Sequence, residues 1–187
     1  MKEILLVFII CFSLFACASR PKGFTYYFED KDTGLDSLLN INGYYIAKNS
    51  KYSNVYYLLM FYHNGLVRST LITGDIPSDK NLTSFEEFKK EFYDKVPWGI
   101  YKLDSDGVIC AQFIIDKGQS GQSISLRKYK IISKNELEII EEYYYYNGKF
   151  NNDNIVPSKA YFHPLKSKRD WRECPWLKKK WFTEISK

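Results

Sequence analysis

The sequence predicts a mainly β domain: a single antiparallel up-and-down β-barrel of about eight strands, with one amphipathic helix and a basic C-terminal tail. Three observations point there. Between residues 41 and 165, short aromatic and β-branched runs alternate with tight-turn signals, among them Asn64-Gly65, Asp104-Ser105-Asp106-Gly107 and Lys134-Asn135, the chemistry that joins sequence neighbours as hairpins. Aromatic residues make up 18% of the chain, a bias toward strands. Finally, a run such as residues 55–62 (VYYLLMFY) would present a long, sticky edge to other chains; closing the sheet removes such edges, which favours a barrel over the alternative, a two-sheet sandwich.

Taken in order, residues 1–16 come first. Lys2, the apolar run 4–12 and the small Ala16 before Cys17 have the layout of a secretory signal peptide, too short in its apolar part to span a membrane. Leu14-Phe15-Ala16-Cys17 resembles the lipobox of bacterial lipoproteins, with Phe15 where a small polar or aliphatic residue is usual. The resemblance implies cleavage before Cys17, a thioether-linked diacylglycerol on Cys17 with an acylated amine, and a mature protein that stays on a membrane, because two or three buried chains anchor far more firmly than one. Ala18 follows, without an acidic cluster, so the resemblance implies an outer-membrane location facing the periplasm. Residues 17–32 then read as the lipidated N-terminus and tether, and 33–187 as the barrel domain.

Removal of the signal leaves 171 residues at a formal charge of +5, enough for one domain that buries roughly 70% of its unfolded surface. That charge is too moderate for the footprint of a nucleic-acid binder. Beyond Cys17, Cys110 and Cys174 remain. They form one pair that an oxidising envelope permits, and closing a loop of 64 residues would stabilise by roughly 4 kcal/mol. Two buried free thiols are the other outcome.

Residues 33–40 read as one or two helical turns with Leu35, Leu38 and Leu39 on one side. Strands follow at 41–48, 54–63, 66–73, 98–103, 108–115, 124–132, 136–146 and 160–165. A helix interrupts them: Thr83-x-x-Glu86 and Ser84-x-x-Glu87 fit a capping box, and Phe85, Phe88, Phe92 and Val96 form an apolar stripe ending at Pro97. The tail 166–180 is basic, with Trp171, Trp176 and Trp181 interleaved. It suits either a second contact with the bilayer or packing in or on the barrel.

A short helical turn, then Gly43-Tyr44-Tyr45 opening the first strand, then hairpins: in this order the chain is similar to lipocalin-like and fatty-acid-binding barrels over residues 33–165. Tyr45 stands where the lipocalin Gly-x-Trp motif has Trp, and no second lipocalin motif occurs.

Candidate site residues come from one hairpin. If Ser133 pairs with Glu136, register sets Lys128 opposite Glu141 and Arg127 opposite Glu142, on opposite faces of the sheet. Arg127 and Glu142 are the expected inner pair, because Lys130 shares the other face and Arg tolerates burial better; Tyr129 and Tyr144 share their interior. Arg127-x-Tyr129 resembles the Arg-x-Tyr pair with which fatty-acid-binding proteins hold a carboxylate, which implies an anionic ligand, although Glu142 would largely neutralise the arginine. Holding strand register at a wet rim is the alternative role. In the run 143–146, strand alternation divides four tyrosines two and two. His63, His163, Cys110 and Cys174 lack the close spacing of metal ligands, and no Gly-x-Ser-x-Gly or His-Glu-x-x-His pattern occurs. We therefore expect no metal, no cofactor and no catalysis. The expected function is binding of a small apolar or amphiphilic molecule or of an envelope protein, with a structural or assembly role in the outer membrane as the rival and an enzyme with an unrecognised site third.

Overall fold

The computed structural model describes residues 20–49, 51–52, 54–73, 97–116, 122–166 and 168–183. Among these residues the strands are β1 (Gly43–Lys48), β2 (Val55–Phe61), β3 (Leu66–Thr73), β4 (Trp98–Leu103), β5 (Val108–Asp116), β6 (Gln122–Ser133), β7 (Glu136–Tyr146), β8 (Lys149–Asn152) and β9 (Ser158–Pro164). Strands β1 to β7 pair with their sequence neighbours, all antiparallel, and β9 bridges β1 and β7. Eight strands thus close into a barrel of lipocalin-like type, with β8 as an extra strand.

The outer edge of β7 is divided. Glu136 to Ile139 pair with β9 and close the barrel, whereas Tyr143 to Tyr146 pair with β8. Strand β8 was not expected from the sequence, although Asn147 and Gly148 both take positive φ (50° and 83°), the two-residue turn that demands a returning strand. The expected helix with its stripe Phe85, Phe88, Phe92 and Val96 lies outside the described residues.

Alternation sorts the apolar side chains into two layers. The inner layer includes Tyr45, Tyr57, Leu59, Phe61, Tyr101, Phe113 and Tyr129, with Phe61 edge-on to both Tyr101 and Tyr129. One end of the barrel is stoppered. Helix α1 (Leu35–Leu38) inserts Leu35 and Leu39, each fully buried, while Leu38 is turned to solvent against expectation, since a single helical turn has only one side to give the barrel. The Tyr45 hydroxyl is shared between the carbonyls of Asn40 and Lys134, at 2.8 and 2.9 Å, at the same end.

The outer layer is built by the two chain ends. Residues expected as a tether run along the wall as a strap from Phe24 onward: Thr25 and Tyr26 N–H both donate to Gln112 Oε1 (2.8 and 3.1 Å). Phe24 and Phe28 stack on Phe182 of the last helix, α2 (Lys180–Thr183). Phe24 and Phe28 are too apolar to be left in water, and the outward residues Tyr62, Leu66 and Trp98 offer them a surface. The remaining wall carries Lys102, Lys128, Lys130 and Glu138 outward, the reverse of a membrane-spanning barrel, whose outer band is apolar.

Two glycines mark where strands approach too closely for a side chain. A Cβ on Gly43 would lie 2.1 Å from the His163 carbonyl oxygen, and one on Gly99 2.3 Å from that of Gln112.

Candidate functional site

The hairpin β6–β7 carries an ion pair into the barrel. Arg127 is opposite Glu142 and Lys128 opposite Glu141, the expected register, but by a route the sequence did not reveal. Ile132 is extra on β6 and Ile140 extra on β7; the two bulges shift the register one way and back again. The inner pair is 5% and 0% exposed, while the outer pair, 2.7 Å apart, leaves about a third of each side chain in solvent.

Glu142 is surrounded by donors. Oε1 accepts from Arg127 Nε at 2.5 Å, from Tyr144 at 2.9 Å and from Ser125 at 3.5 Å, and Oε2 accepts from Tyr57 at 3.0 Å. Arg127 Nη1 donates to Ser69 on β3 at 2.6 Å. Ser69 is on a strand three places from β6 in the sheet order, so the contact joins parts of the wall that do not pair with each other. The guanidinium also lies 4.9 Å from the Tyr57 ring and 5.3 Å from that of Phe113. One cluster thus joins β2, β3, β6 and β7.

Its electrostatics are self-contained. Burial would raise the Glu142 carboxyl, but the Arg127 charge and the hydrogen bonds from Arg127, Tyr144 and Tyr57 outweigh it and hold the group below its ordinary value of 4.5. Burial, with the Glu142 charge beside it, pushes Tyr144 up to about 12 and Tyr57 higher still, so both phenols stay protonated and remain donors. Tyr129 shares the interior as expected, fully buried, and among the described residues its hydroxyl has no hydrogen-bond partner.

The barrel interior therefore changes character along its length. The stoppered end is aromatic and aliphatic. Beyond Tyr129, the inward residues Ser69, Ser123, Ser125, Tyr57 and Tyr144 make a polar half around Arg127 and Glu142, toward the end where β3 and β5 finish and β4 and β6 begin.

The other expected residues divide. Cys110 and Cys174 are free thiols, so the permitted bridge is not formed here: Cys110 is on β5 between Lys102 and Lys128, and Cys174 is buried in the tail beside Tyr62 and Arg68. Tyr143 donates outward to Glu141 and Tyr145 packs on Phe150, while Tyr144 points inward. His163 stacks on Tyr44, and His63 lies edge-on to Trp171. Among the described residues, no three His, Cys, Asp or Glu side chains gather as metal ligands would. The tail tryptophans Trp171, Trp176 and Trp181 are half-buried on the outer wall, rather than inside the barrel.

Two features had no signal in the sequence. Lys168 Nζ donates to the carbonyls of Ile41, at 2.6 Å, and Phe61, over the Tyr62 ring at 4.1 Å; burial pushes it down to about 7. It satisfies carbonyls at the strand ends of the stoppered side and staples the tail there. A cleft of about 290 Å³ opens outside the barrel between Tyr27 and Phe28 of the strap, Asn64 and Gly65 of the β2–β3 turn, and β4. Both are products of long-range packing, because their partners are far apart in sequence.

Fold and site together define a class: a closed antiparallel barrel with one solid end, one polar half and a wall partly sheathed by its own termini. No protein-family model, curated protein or solved structure matches this chain.

Proposed function

We propose that this protein is a cell-envelope lipoprotein, held on the periplasmic side of the outer membrane by acyl chains on Cys17, and that its barrel is a non-catalytic binding module for a small amphiphile. The observation that carries the reading is the convergence of Tyr57, Ser69, Ser125 and Tyr144 on one buried ion pair in the polar half of a closed barrel. Binding sites of this kind combine apolar walls with a few convergent polar groups. Glu142 already neutralises Arg127, so the favoured head group is uncharged and hydrogen-bonding, unlike the carboxylate that the Arg-x-Tyr resemblance implies.

A second reading has its own support. The ion pair is satisfied by its neighbours alone, which suits a cluster that ties four strands together in a structural or assembly factor of the outer membrane, with an envelope protein as partner. Native mass spectrometry of protein extracted gently from its own cells separates the two. The expected spectrum carries the mass of the acyl groups and of a retained guest. Lipidated polypeptide with no guest removes the carrier reading in favour of the structural one, and an unmodified Cys17 removes the lipoprotein reading itself.

A further inference from the structure

We infer that the wall sheathed by the strap and the tail is the face this protein lays on an anionic membrane surface. The inference rests on the reading of Cys17 as the acylated residue; what the structure adds is the point at which the chain becomes fixed to the barrel. Arg20 donates to the Tyr26 carbonyl at 2.7 Å, and its guanidinium lies 3.8 Å from the Tyr27 ring. Gly23 is pressed on Tyr145, and Phe24 packs on Trp181 and Phe182. Only Ala18 and Ser19 separate Cys17 from Arg20, a reach of at most about 11 Å when fully extended. Acyl chains on Cys17 would therefore draw this wall down to the head groups, because the chain is too short for the barrel to stand clear of them.

The charge on that wall fits the same surface. Residues 20–27 and 174–183 contain Arg20, Lys22, Lys178, Lys179 and Lys180 and no Asp or Glu, while Glu29, Asp170 and Glu173 just outside these stretches are paired with Lys31, Arg172 and Arg169. Lys22, Lys178 and Lys180 are exposed. Trp176 and Trp181, 5.7 Å apart, are half-buried beside them, and indoles prefer the level of the head groups. The strap and tail lie far apart in sequence, and Phe24 and Phe28 bring them together on Phe182. Each lysine near an anionic surface favours the docked state by about fivefold, so the three tail lysines together contribute about a hundredfold.

The test uses the protein purified from its own cells and returned to vesicles with brominated acyl chains, either phosphatidylglycerol with phosphatidylcholine or phosphatidylcholine alone. Tryptophan fluorescence is expected to be quenched in the anionic vesicles and far less in the zwitterionic ones. Quenching should be lost in Trp176→Phe/Trp181→Phe, and in Lys178→Ala/Lys179→Ala/Lys180→Ala with the far-ultraviolet spectrum unchanged. Protein that floats with both vesicle types without quenching is anchored but stands on another face, which overturns this inference and leaves the Cys17 reading intact. Protein that floats with neither overturns the anchor as well. Quenching equal in both lipids, or unchanged by the triple substitution, overturns the electrostatic docking face.

Discussion

At the scale of single residues, the two ion pairs of the β6–β7 hairpin differ by environment. Lys128 and Glu141 meet where solvent screens them, so their attraction contributes at most about 1 kcal/mol. Arg127 and Glu142 are almost wholly buried, so removing one partner strands the other. Glu142→Ala is expected to cost about 3–5 kcal/mol in urea unfolding, whereas Arg127→Met/Glu142→Leu should recover most of that loss. A double variant as unstable as the single one would mean the pair has a role beyond cancelling its own charges. The pH dependence follows from the same carboxyl. Its folded pKa lies below the unfolded value of 4.5, so the unfolded chain binds the proton first as pH falls. The stability Glu142 contributes is therefore complete above pH 4.5 and lost as pH drops through its folded pKa. Glu142→Gln should flatten that part of the stability profile. The thiols give another residue-scale expectation: burial raises Cys110 and pushes Cys174 up to about 12. Mass spectrometry should count two alkylatable cysteines, Cys174 reacting only on unfolding.

At the scale of elements, local text predicted the strands well and their irregularities poorly. All eight expected strands, β1 to β7 and β9, appear within two residues of their expected ends, because alternation and turn residues are local properties. Strand β8 was missed although Asn147-Gly148 announced a turn, since Lys149–Asn152 is only four residues long and polar. The bulges at Ile132 and Ile140 carry no sequence mark; they arise from fitting a curved hairpin to its neighbours, and the expected pairing survived because they compensate. Close packing between elements is equally invisible in the text. Gly99→Ala would push a methyl into the Gln112 carbonyl; we expect a loss of about 1–3 kcal/mol, read as a lowered urea midpoint. No loss would show that β4 and β5 can part at this point without cost.

At the scale of the whole molecule, strap and tail make the two ends of the chain part of one outer core. Phe182 is fully buried between Phe24 and Phe28, so Phe182→Ala should cost about 3–5 kcal/mol and expose the strap to proteolysis between residues 20 and 28 before the barrel itself unfolds. Cleavage no faster than in the parent protein would mean that contacts other than the Phe182 ring, those of Gln112 and Trp181 among them, are enough to hold the strap. The same packing sets how far the barrel can stand from Cys17, which links the outer core to the docking face inferred above.

By itself, the sequence determined the strand order and the hairpin pairing of Arg127 with Glu142, because periodicity and turn chemistry act over a few residues. Only the tertiary structure decided that β7 divides its outer edge between β9 and β8, that Arg127 reaches across to Ser69, and that the expected tether is part of the wall. Those depend on which surfaces meet once the sheet has curled, and contacts between residues 19 to 87 positions apart leave no periodic trace along the chain.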